Sequence, residues 1–157
     1  MKIEFRSIGK TSFPYLTEGV SIYEKRLKHY ISYQSVIIPD IKNAKNLKPK
    51  QLKEKEGIAL LNKIESGDFV IILDEKGKSY TSVKLAAFLE KQMLMSHKRI
   101  IFIVGGAFGF SEAVYARANS KLALSDMTFS HQMIRLFFTE QLYRACTIMR
   151  GEPYHNS

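Results

Sequence analysis

Two short, uninterrupted apolar runs most constrain the fold of this chain. Residues 69–73 read FVIIL and residues 100–104 read IIFIV. A strand buried on one face alternates polar and apolar side chains, whereas a continuously apolar strand is buried on both faces. Neither run is long enough to cross a membrane as a helix. We therefore expect both runs to be central strands of a parallel sheet.

Segments with helical apolar spacing alternate with the strands. They cover residues 15–30, 49–65, 82–95 and 132–149, and a further short helix follows Ser111. Weaker strand patterns occupy residues 3–8 and 122–124, and the apolar run VII at residues 36–38 predicts a further buried strand. This order predicts an α/β fold with a mostly parallel sheet covered by helices on both faces. Because no Gly/Ser-rich or Pro-rich linker interrupts the chain, we expect one domain over residues 1–157.

Several local signals refine these bounds. We expect Ser66 and Gly67 to end the second helix, Ser82 to cap the third, and residues 74–78 to form the loop that leaves the second buried strand. Parallel sheets bind ligands beyond the carboxyl ends of their strands. The loops after Leu73, Val104 and Leu124 are therefore the expected ligand site.

The last helix is too apolar for a surface helix. One face of the helix carries an apolar stripe, and further apolar side chains lie around the rest of its circumference. The stripe consists of Ile134, Phe138, Leu142, Ala145 and Met149. Such a helix is buried on more than one side, either as a central core helix or as one shared with a homodimer interface. Its arginines, Arg135, Arg144 and Arg150, are candidates to bind a phosphate or a planar base.

Positive charge is concentrated early in the chain. The formal net charge is +9, and residues 42–55 contain one acidic residue, Glu54, against six lysines: Lys42, Lys45, Lys48, Lys50, Lys53 and Lys55. This cluster is either an ordinary solvated surface or a surface that follows the phosphates of a nucleic acid. The charge favours a polyanionic partner without identifying one.

Other chemistries find little support. Residues 9–11 read GKT, but a P-loop requires glycine at position 4, where Glu4 stands. The glycines of residues 105–109 lack the G-x-G-x-x-G spacing of a nicotinamide-binding enzyme and follow a late strand. The histidines have no zinc-ligand spacing, so no metal is expected. The single cysteine, Cys146, and an N-terminus without a signal-peptide core predict a cytoplasmic protein with no membrane segment.

Five stretches in order resemble the RlmH-type ribosomal RNA methyltransferases of the SPOUT superfamily. They are residues 73–78 (LDEKGK), 102–109 (FIVGGAFG), 124–132 (LSDMTFSHQ), 140–145 (EQLYRA) and 151–155 (GEPYH). The resemblance covers essentially the whole chain. It implies a SPOUT fold with a C-terminal trefoil knot, a homodimer and S-adenosylmethionine as cofactor.

The resemblance also implies the reaction and its residues. The reaction is methylation at N3 of a pseudouridine in the helix 69 loop of 23S ribosomal RNA on assembled ribosomes. The cofactor-binding residues it implies are Leu73, Gly105, Leu124, Ser125, Asp126, Met127, Thr128 and Phe129. The catalytic residues are Arg144, to stabilise negative charge, Tyr154, to pack against the base, and His155, to assist proton removal or orient the base. Methylation of another RNA and a non-catalytic ribosome-associated role remain the alternatives.

Overall fold

The chain forms one parallel five-stranded sheet with helices on both faces, as the sequence predicts. The computed structural model describes residues 1–156. The strands are β1 (Lys2–Ile8), β2 (Ser32–Ile38), β3 (Asp68–Ser79), β4 (Arg99–Val104) and β5 (Ser120–Ala123), in the spatial order β2-β1-β4-β3-β5. The helices are α1 (Pro14–Leu27), α2 (Pro49–Leu61), α3 (Ser82–Met93), α4 (Glu112–Arg117) and α5 (Met133–Met149).

The two apolar runs are the central strands β3 and β4. Along β3, Ile71 and Leu73 face the helices α1, α3 and α5, whereas Val70 and Ile72 face α2 and α4. Both faces are thus covered, because every side chain of these runs has apolar neighbours to pack against. The prediction for residues 36–38 is wrong in one respect: β2 is an edge strand, and Ile37 is 43% exposed instead of buried.

Three predicted boundaries are also wrong. The helix α2 ends at Leu61 and not at Ser66, because Asn62 leaves the helical conformation and Lys63 has a φ of +61°. Thr81, and not Ser82, caps α3: the Thr81 hydroxyl accepts a hydrogen bond from the Lys84 amide at 3.2 Å. Ser111 does cap α4, as expected. The third difference lies in β3.

The strand β3 does not end at Leu73. It bulges after Leu73 and then pairs with β5 again, so that Leu73 and Lys78 both lie opposite Leu122. Residues 74–77 form the bulge, where the sequence pattern predicts an exit loop. A Cβ on Gly77 would lie 2.6 Å from the carbonyl carbon of Lys121, so only glycine lets the two backbones approach this closely.

The helix α5 crosses the sheet face between α1 and α3. Phe138, Leu142 and Ala145 of the predicted stripe are buried, while Ile134 and Met149 are half-buried. The opposite side is partly buried as well, since Thr139 and Thr147 have no exposed surface. This confirms a helix covered on more than one side.

No helix within residues 1–156 combines the length and the apolar character that crossing a membrane requires.

Candidate active site

A cavity of about 740 Å³ lies between the bulge of β3 and the carboxyl ends of β4 and β5. Its walls are the three loops that the sequence singles out: the bulge after Leu73, the glycine-rich loop after Val104, and the segment after Ala123. The helix α5 contributes Ile134 from its first turn. This volume lies within the range of small-molecule and cofactor sites.

The structure brings most of the expected cofactor residues around this cavity. Seven of the eight line it, namely Leu73, Gly105, Leu124, Ser125, Met127, Thr128 and Phe129. Asp126 does not; its carboxylate accepts a hydrogen bond from the Ser79 hydroxyl at 3.4 Å. Asp126 thus helps to position the segment that carries its neighbours.

The glycine-rich loop is tightly folded against the cavity. Gly106 and Gly109 form an isolated β-bridge, and Gly109 has a φ of +86°, a conformation that favours glycine. A Cβ on Gly105 would lie 3.1 Å from the Phe110 ring and 3.2 Å from the Gly109 carbonyl oxygen. The glycines therefore let the loop pack this tightly at the wall of the cavity.

A buried carboxyl group packs against the glycine-rich loop. Glu56 on α2 is 6% exposed, and its Oε2 would lie 2.6 Å from a Cβ on Gly106. One carboxyl oxygen, Oε1, is buried without a hydrogen-bond partner. Burial, and secondarily the negative charge of Asp40, raises the pKa of Glu56. Both causes favour the protonated form of this carboxyl group.

The segment between β5 and α5 is tied to the bulge of β3. The Thr128 hydroxyl donates to the Glu75 carboxylate at 2.7 Å, and the Ser125 hydroxyl accepts from the Met127 amide at 3.0 Å. At the other end, the Ser130 hydroxyl accepts from the Met133 amide at 3.1 Å. Two walls of the cavity are thus joined by direct hydrogen bonds.

Seven polar side chains of the cavity are not among the site residues expected from the sequence: Lys53, Asp74, Glu75, Lys76, Tyr115, Ser130 and His131. Asp74 follows Leu73 directly, so its position after a buried strand is the signal that could have identified it. Burial, and then the Asp74 carboxylate, raises the pKa of Tyr115 to about 12. Burial, and then the charge of Arg135, lowers the pKa of His131, which favours its neutral form.

The three expected catalytic residues form one cluster with Glu140 of α5. The Glu140 carboxylate accepts hydrogen bonds from Arg144 Nη2 at 2.6 Å and from the Tyr154 hydroxyl at 2.9 Å. The Arg144 guanidinium lies 4.7 Å from the centre of the Tyr154 ring, and its Nη1 lies 3.1 Å from Nδ1 of His155. The terminal Tyr and His are therefore held in place.

Contacts from the α1–β2 connection hold the tail as well. The Tyr30 hydroxyl donates to the Glu152 carboxylate at 2.6 Å, and this hydrogen bond raises the pKa of Tyr30 to about 12. The Arg150 guanidinium lies 4.4 Å from the Tyr30 ring centre. Tyr143 contacts Tyr154 edge to face at 4.8 Å. These contacts fix both ends of the tail against the α1–β2 connection and α5.

The cluster and the cavity lie apart within one chain. Ile134 borders the cavity and Arg144 belongs to the cluster; ten residues of α-helix separate them by about 15 Å. None of the three cluster residues lines the cavity. Arg144, Tyr154 and His155 therefore do not line the cavity in a single copy of the chain, although Glu140 of the same cluster lines a neighbouring groove of about 530 Å³ with Leu124, Ser125 and Phe129.

Two of the three arginines on α5 do not fit the predicted role in binding a phosphate. Arg135 is 2% exposed, and its guanidinium donates to the carbonyl oxygens of Ile8 at 2.6 Å and Gly9 at 2.7 Å. Arg150 stacks on Tyr30. Only Arg144 combines partial exposure with expected site residues as neighbours.

Within residues 1–156, no three His, Cys, Asp or Glu side chains lie together in a way that could hold a metal ion.

Comparison with known proteins agrees with the fold. A family profile described as "Predicted SPOUT methyltransferase" matches residues 1–155. The chain is 54% identical over 156 residues to Ribosomal RNA large subunit methyltransferase H of Parabacteroides distasonis, with 99% of each chain covered. It is 51% identical over 156 residues to the protein of the same name from Flavobacterium johnsoniae, also with 99% of each chain covered.

Among solved structures, the fold is similar to that of a probable methylase family protein from Haemophilus influenzae Rd KW20. The TM-score is 0.53 at 9% sequence identity, and the match covers 99% of this chain and 70% of the other. The full-length profile match and the high identity to the two relatives are decisive: the chain belongs to the SPOUT methyltransferase family.

Proposed function

We propose that this chain transfers a methyl group from S-adenosylmethionine to N3 of a pseudouridine in the helix 69 loop of 23S ribosomal RNA, on assembled ribosomes in the cytoplasm. The names of the full-length relatives support large-subunit ribosomal RNA as the substrate. The observation that carries the proposal is the cavity lined by seven of the eight expected cofactor residues.

The cavity suits S-adenosylmethionine in size and in chemistry. Its volume of about 740 Å³ accommodates a nucleoside with an amino-acid arm. The backbone of the loops containing Gly105 and Leu124 can read an adenine edge, and Asp74 supplies a carboxylate near a cationic ligand. When bound, this cofactor supplies an electrophilic methyl group on a sulfonium. The chain's own residues then have to place the nucleophile and manage its proton.

We infer that a homodimer completes the site. Arg144 lies about 15 Å along α5 from Ile134 at the cavity edge, and a second copy of the chain can bring its own tail cluster to the first copy's cavity. Phe137 is 37% exposed beside a groove of about 530 Å³ that also includes Tyr23 of α1 and Ser82 of α3. An exposed apolar face of this kind fits an interface between copies.

We further infer that the C-terminal part is threaded into a trefoil knot. After β5 pairs beside β3, the chain passes the β3 bulge, where Thr128 bonds to Glu75. The helix α5 then turns back to β1 through Arg135. This path past the bulge supports a threaded arrangement of the three cavity loops.

The tail cluster can stabilise a deprotonated imide. Loss of the N3 proton spreads negative charge onto the two flanking carbonyl oxygens of the base, so nearby N–H donors lower the barrier. Arginine only donates hydrogen bonds, so Nδ1 of His155 has to accept from Arg144. Neutral His155 therefore carries its proton on Nε2.

This tautomer favours the orienting role of His155. Its Nε2–H group donates to a carbonyl oxygen of the base, while the N3 proton passes to solvent water before the methyl group is transferred. Burial, before any other cause, raises the pKa of Tyr154, which therefore keeps its proton and packs as a neutral ring. Arg144 supplies the positive charge.

The decisive experiment is methyl transfer from labelled S-adenosylmethionine to ribosomes that lack the modification, followed by mapping of the labelled nucleoside. We expect label at one pseudouridine of large-subunit RNA, a slow reaction with free RNA, and dimers in sedimentation. His155→Ala should slow transfer strongly, while calorimetry shows unchanged cofactor affinity. Label on a transfer RNA would favour another RNA substrate. Absence of cofactor binding would favour a non-catalytic ribosome-associated factor.

A further inference from the structure

The lysine cluster of residues 42–55 is an ordered surface. A 3₁₀ turn covers Ala44–Asn46, held by hydrogen bonds from the Asn46 amide to the Asn43 carbonyl at 3.0 Å and from the Leu47 amide to the Ala44 carbonyl at 3.1 Å. Pro49 then begins α2, and the Gln51 side chain accepts from the Lys48 amide at 3.0 Å. The lysines are therefore displayed at defined positions along a folded backbone.

The charge of this surface is not neutralised within the chain. In residues 1–156, no carboxylate oxygen lies within 4.0 Å of the Nζ atom of any of the six lysines. Five of the six side chains are exposed, and Lys53 is half-buried. The only other acidic residue on the first three turns of α2, besides Glu54, is Glu56, which is buried beneath Gly106. The surface thus faces solvent as a block of positive charge.

The surface is continuous with the candidate active site. Lys53 lines the cavity together with Gly106 and Phe108 of the glycine-rich loop. Phe108 is 54% exposed at this edge, although most aromatic rings of this chain are buried or half-buried. A track of lysines that leads to an exposed ring is the combination by which proteins bind single-stranded nucleic acid: cations contact the backbone, and a base stacks on the ring.

We propose that the α2 lysine surface, formed by Lys42, Lys45, Lys48, Lys50, Lys53 and Lys55, binds the phosphates of the RNA strand that leads into the cavity, with Phe108 as a stacking platform at its edge. This inference rests on the proposed function for its RNA. It assigns substrate binding to a surface of the same domain, remote from the tail cluster.

The test uses the variant Lys45→Gln/Lys48→Gln/Lys50→Gln, whose three sites lie outside the cavity. Its matched control is Lys28→Gln/Lys84→Gln/Lys91→Gln, with the same charge change at exposed sites just after α1 and on α3. A Lys→Arg version of the first variant keeps the charge. Circular dichroism verifies folding, and methyl transfer to unmodified ribosomes is measured over a series of salt concentrations.

We expect the KM for ribosomes to rise about 10–100-fold at 0.1 M salt, with kcat at saturating ribosomes unchanged. The slope of log affinity against log salt should fall by about 2, as for three lost contacts with single-strand phosphates. The control triple and the Lys→Arg triple should behave like the parent protein. A parent-like KM and salt slope in the Gln variant, or an equal effect in the control, would overturn the proposal.

A second measurement separates this inference from the proposed function. Binding of a short fluorescein-labelled single-stranded RNA is followed by fluorescence anisotropy, with Phe108→Ala alongside the lysine variants. If the parent protein methylates no RNA, the proposed function fails, yet this assay still shows whether the α2 lysine surface binds RNA. Weaker binding by the Gln triple and by Phe108→Ala supports the surface, and parent-like binding by both refutes it.

Discussion

Arg135 connects the start of α5 to the end of β1, and its replacement should be costly. Its guanidinium is 2% exposed and donates to the carbonyl oxygens of Ile8, Gly9 and His131 at 2.6, 2.7 and 3.1 Å. Burial lowers the pKa of Arg135, and Asp40 partly opposes this effect. The side chain therefore stabilises the fold by its hydrogen bonds while carrying a desolvation cost.

The expected loss follows from these contacts. In Arg135→Met, the carbonyls of Ile8 and Gly9 lose their donors, and each buried unpaired group costs about 1–3 kcal/mol. Removing the desolvated charge offsets part of that sum, so we expect a net loss of about 3 kcal/mol in the free energy of unfolding. For a chain of this length, the melting temperature should fall by about 6–12 °C.

The assay is urea unfolding at a fixed protein concentration, because the proposed dimerisation would make apparent stability depend on concentration. Arg135→Lys retains one donor group and should lose about 1–2 kcal/mol. Lys10→Met, at an exposed site near the same loop, should change stability by no more than about 0.5 kcal/mol. A loss below about 1 kcal/mol in Arg135→Met would refute the assignment of these hydrogen bonds as the main contribution.

Three other variants test the site and its support. Tyr30→Phe removes the hydrogen bond to Glu152 and loosens the tail, so kcat should fall severalfold while the cofactor Kd stays unchanged. Tyr15→Phe, at an exposed site, is the control and should match the parent protein. Equal kcat values for the two variants would contradict the tail contact. Because the pKa of Glu56 is raised in the folded state, protonation of this residue favours folding. Its contribution to the free energy of unfolding is complete below the usual glutamate pKa of about 4.3 and is lost as pH rises through the raised pKa. Glu56→Gln should therefore be more stable than the parent protein at pH 8 and not at pH 4, and parallel stability curves would refute this. Gly77→Ala forces a Cβ onto the Lys121 backbone and should lower both the melting temperature and the cofactor affinity. In the control Gly67→Ala, the new Cβ meets its nearest atom at 3.4 Å, so this variant should melt at or slightly above the parent temperature. Two similar melting curves would contradict the close approach of β3 and β5.

The sequence predicts the sheet well because its central strands carry an unambiguous pattern. Val70 and Ile72 pack on one face of β3 while Ile71 and Leu73 pack on the other, as a continuously apolar run requires. The bounds of elements are less predictable. The end of α2 depends on the left-handed backbone of Lys63, and lysine carries no strong signal for that conformation.

The sequence also predicts some features of the candidate site and not others. Parallel-sheet geometry and the family resemblance are enough to locate the loops around Leu73, Gly105 and Leu124, because ligands bind where parallel strands end. The burial of Glu56 beneath Gly106 cannot be predicted in this way, since α2 is a predominantly polar helix and nothing in its pattern marks one glutamate as buried. The same holds for Arg135, whose backbone partners on β1 leave no trace in the pattern of α5.

The amino-acid sequence by itself therefore determined the parallel sheet, the family resemblance, the loops of the cavity and the basic segment, because each depends on residue types at short spacing. Only the tertiary structure decided that the β3 bulge returns to β5, that Arg135 binds backbone instead of phosphate, and that the tail cluster lies apart from the cavity. Those outcomes depend on which distant segments pack together, and packing joins residues more than a hundred positions apart, such as Ile8 and Arg135.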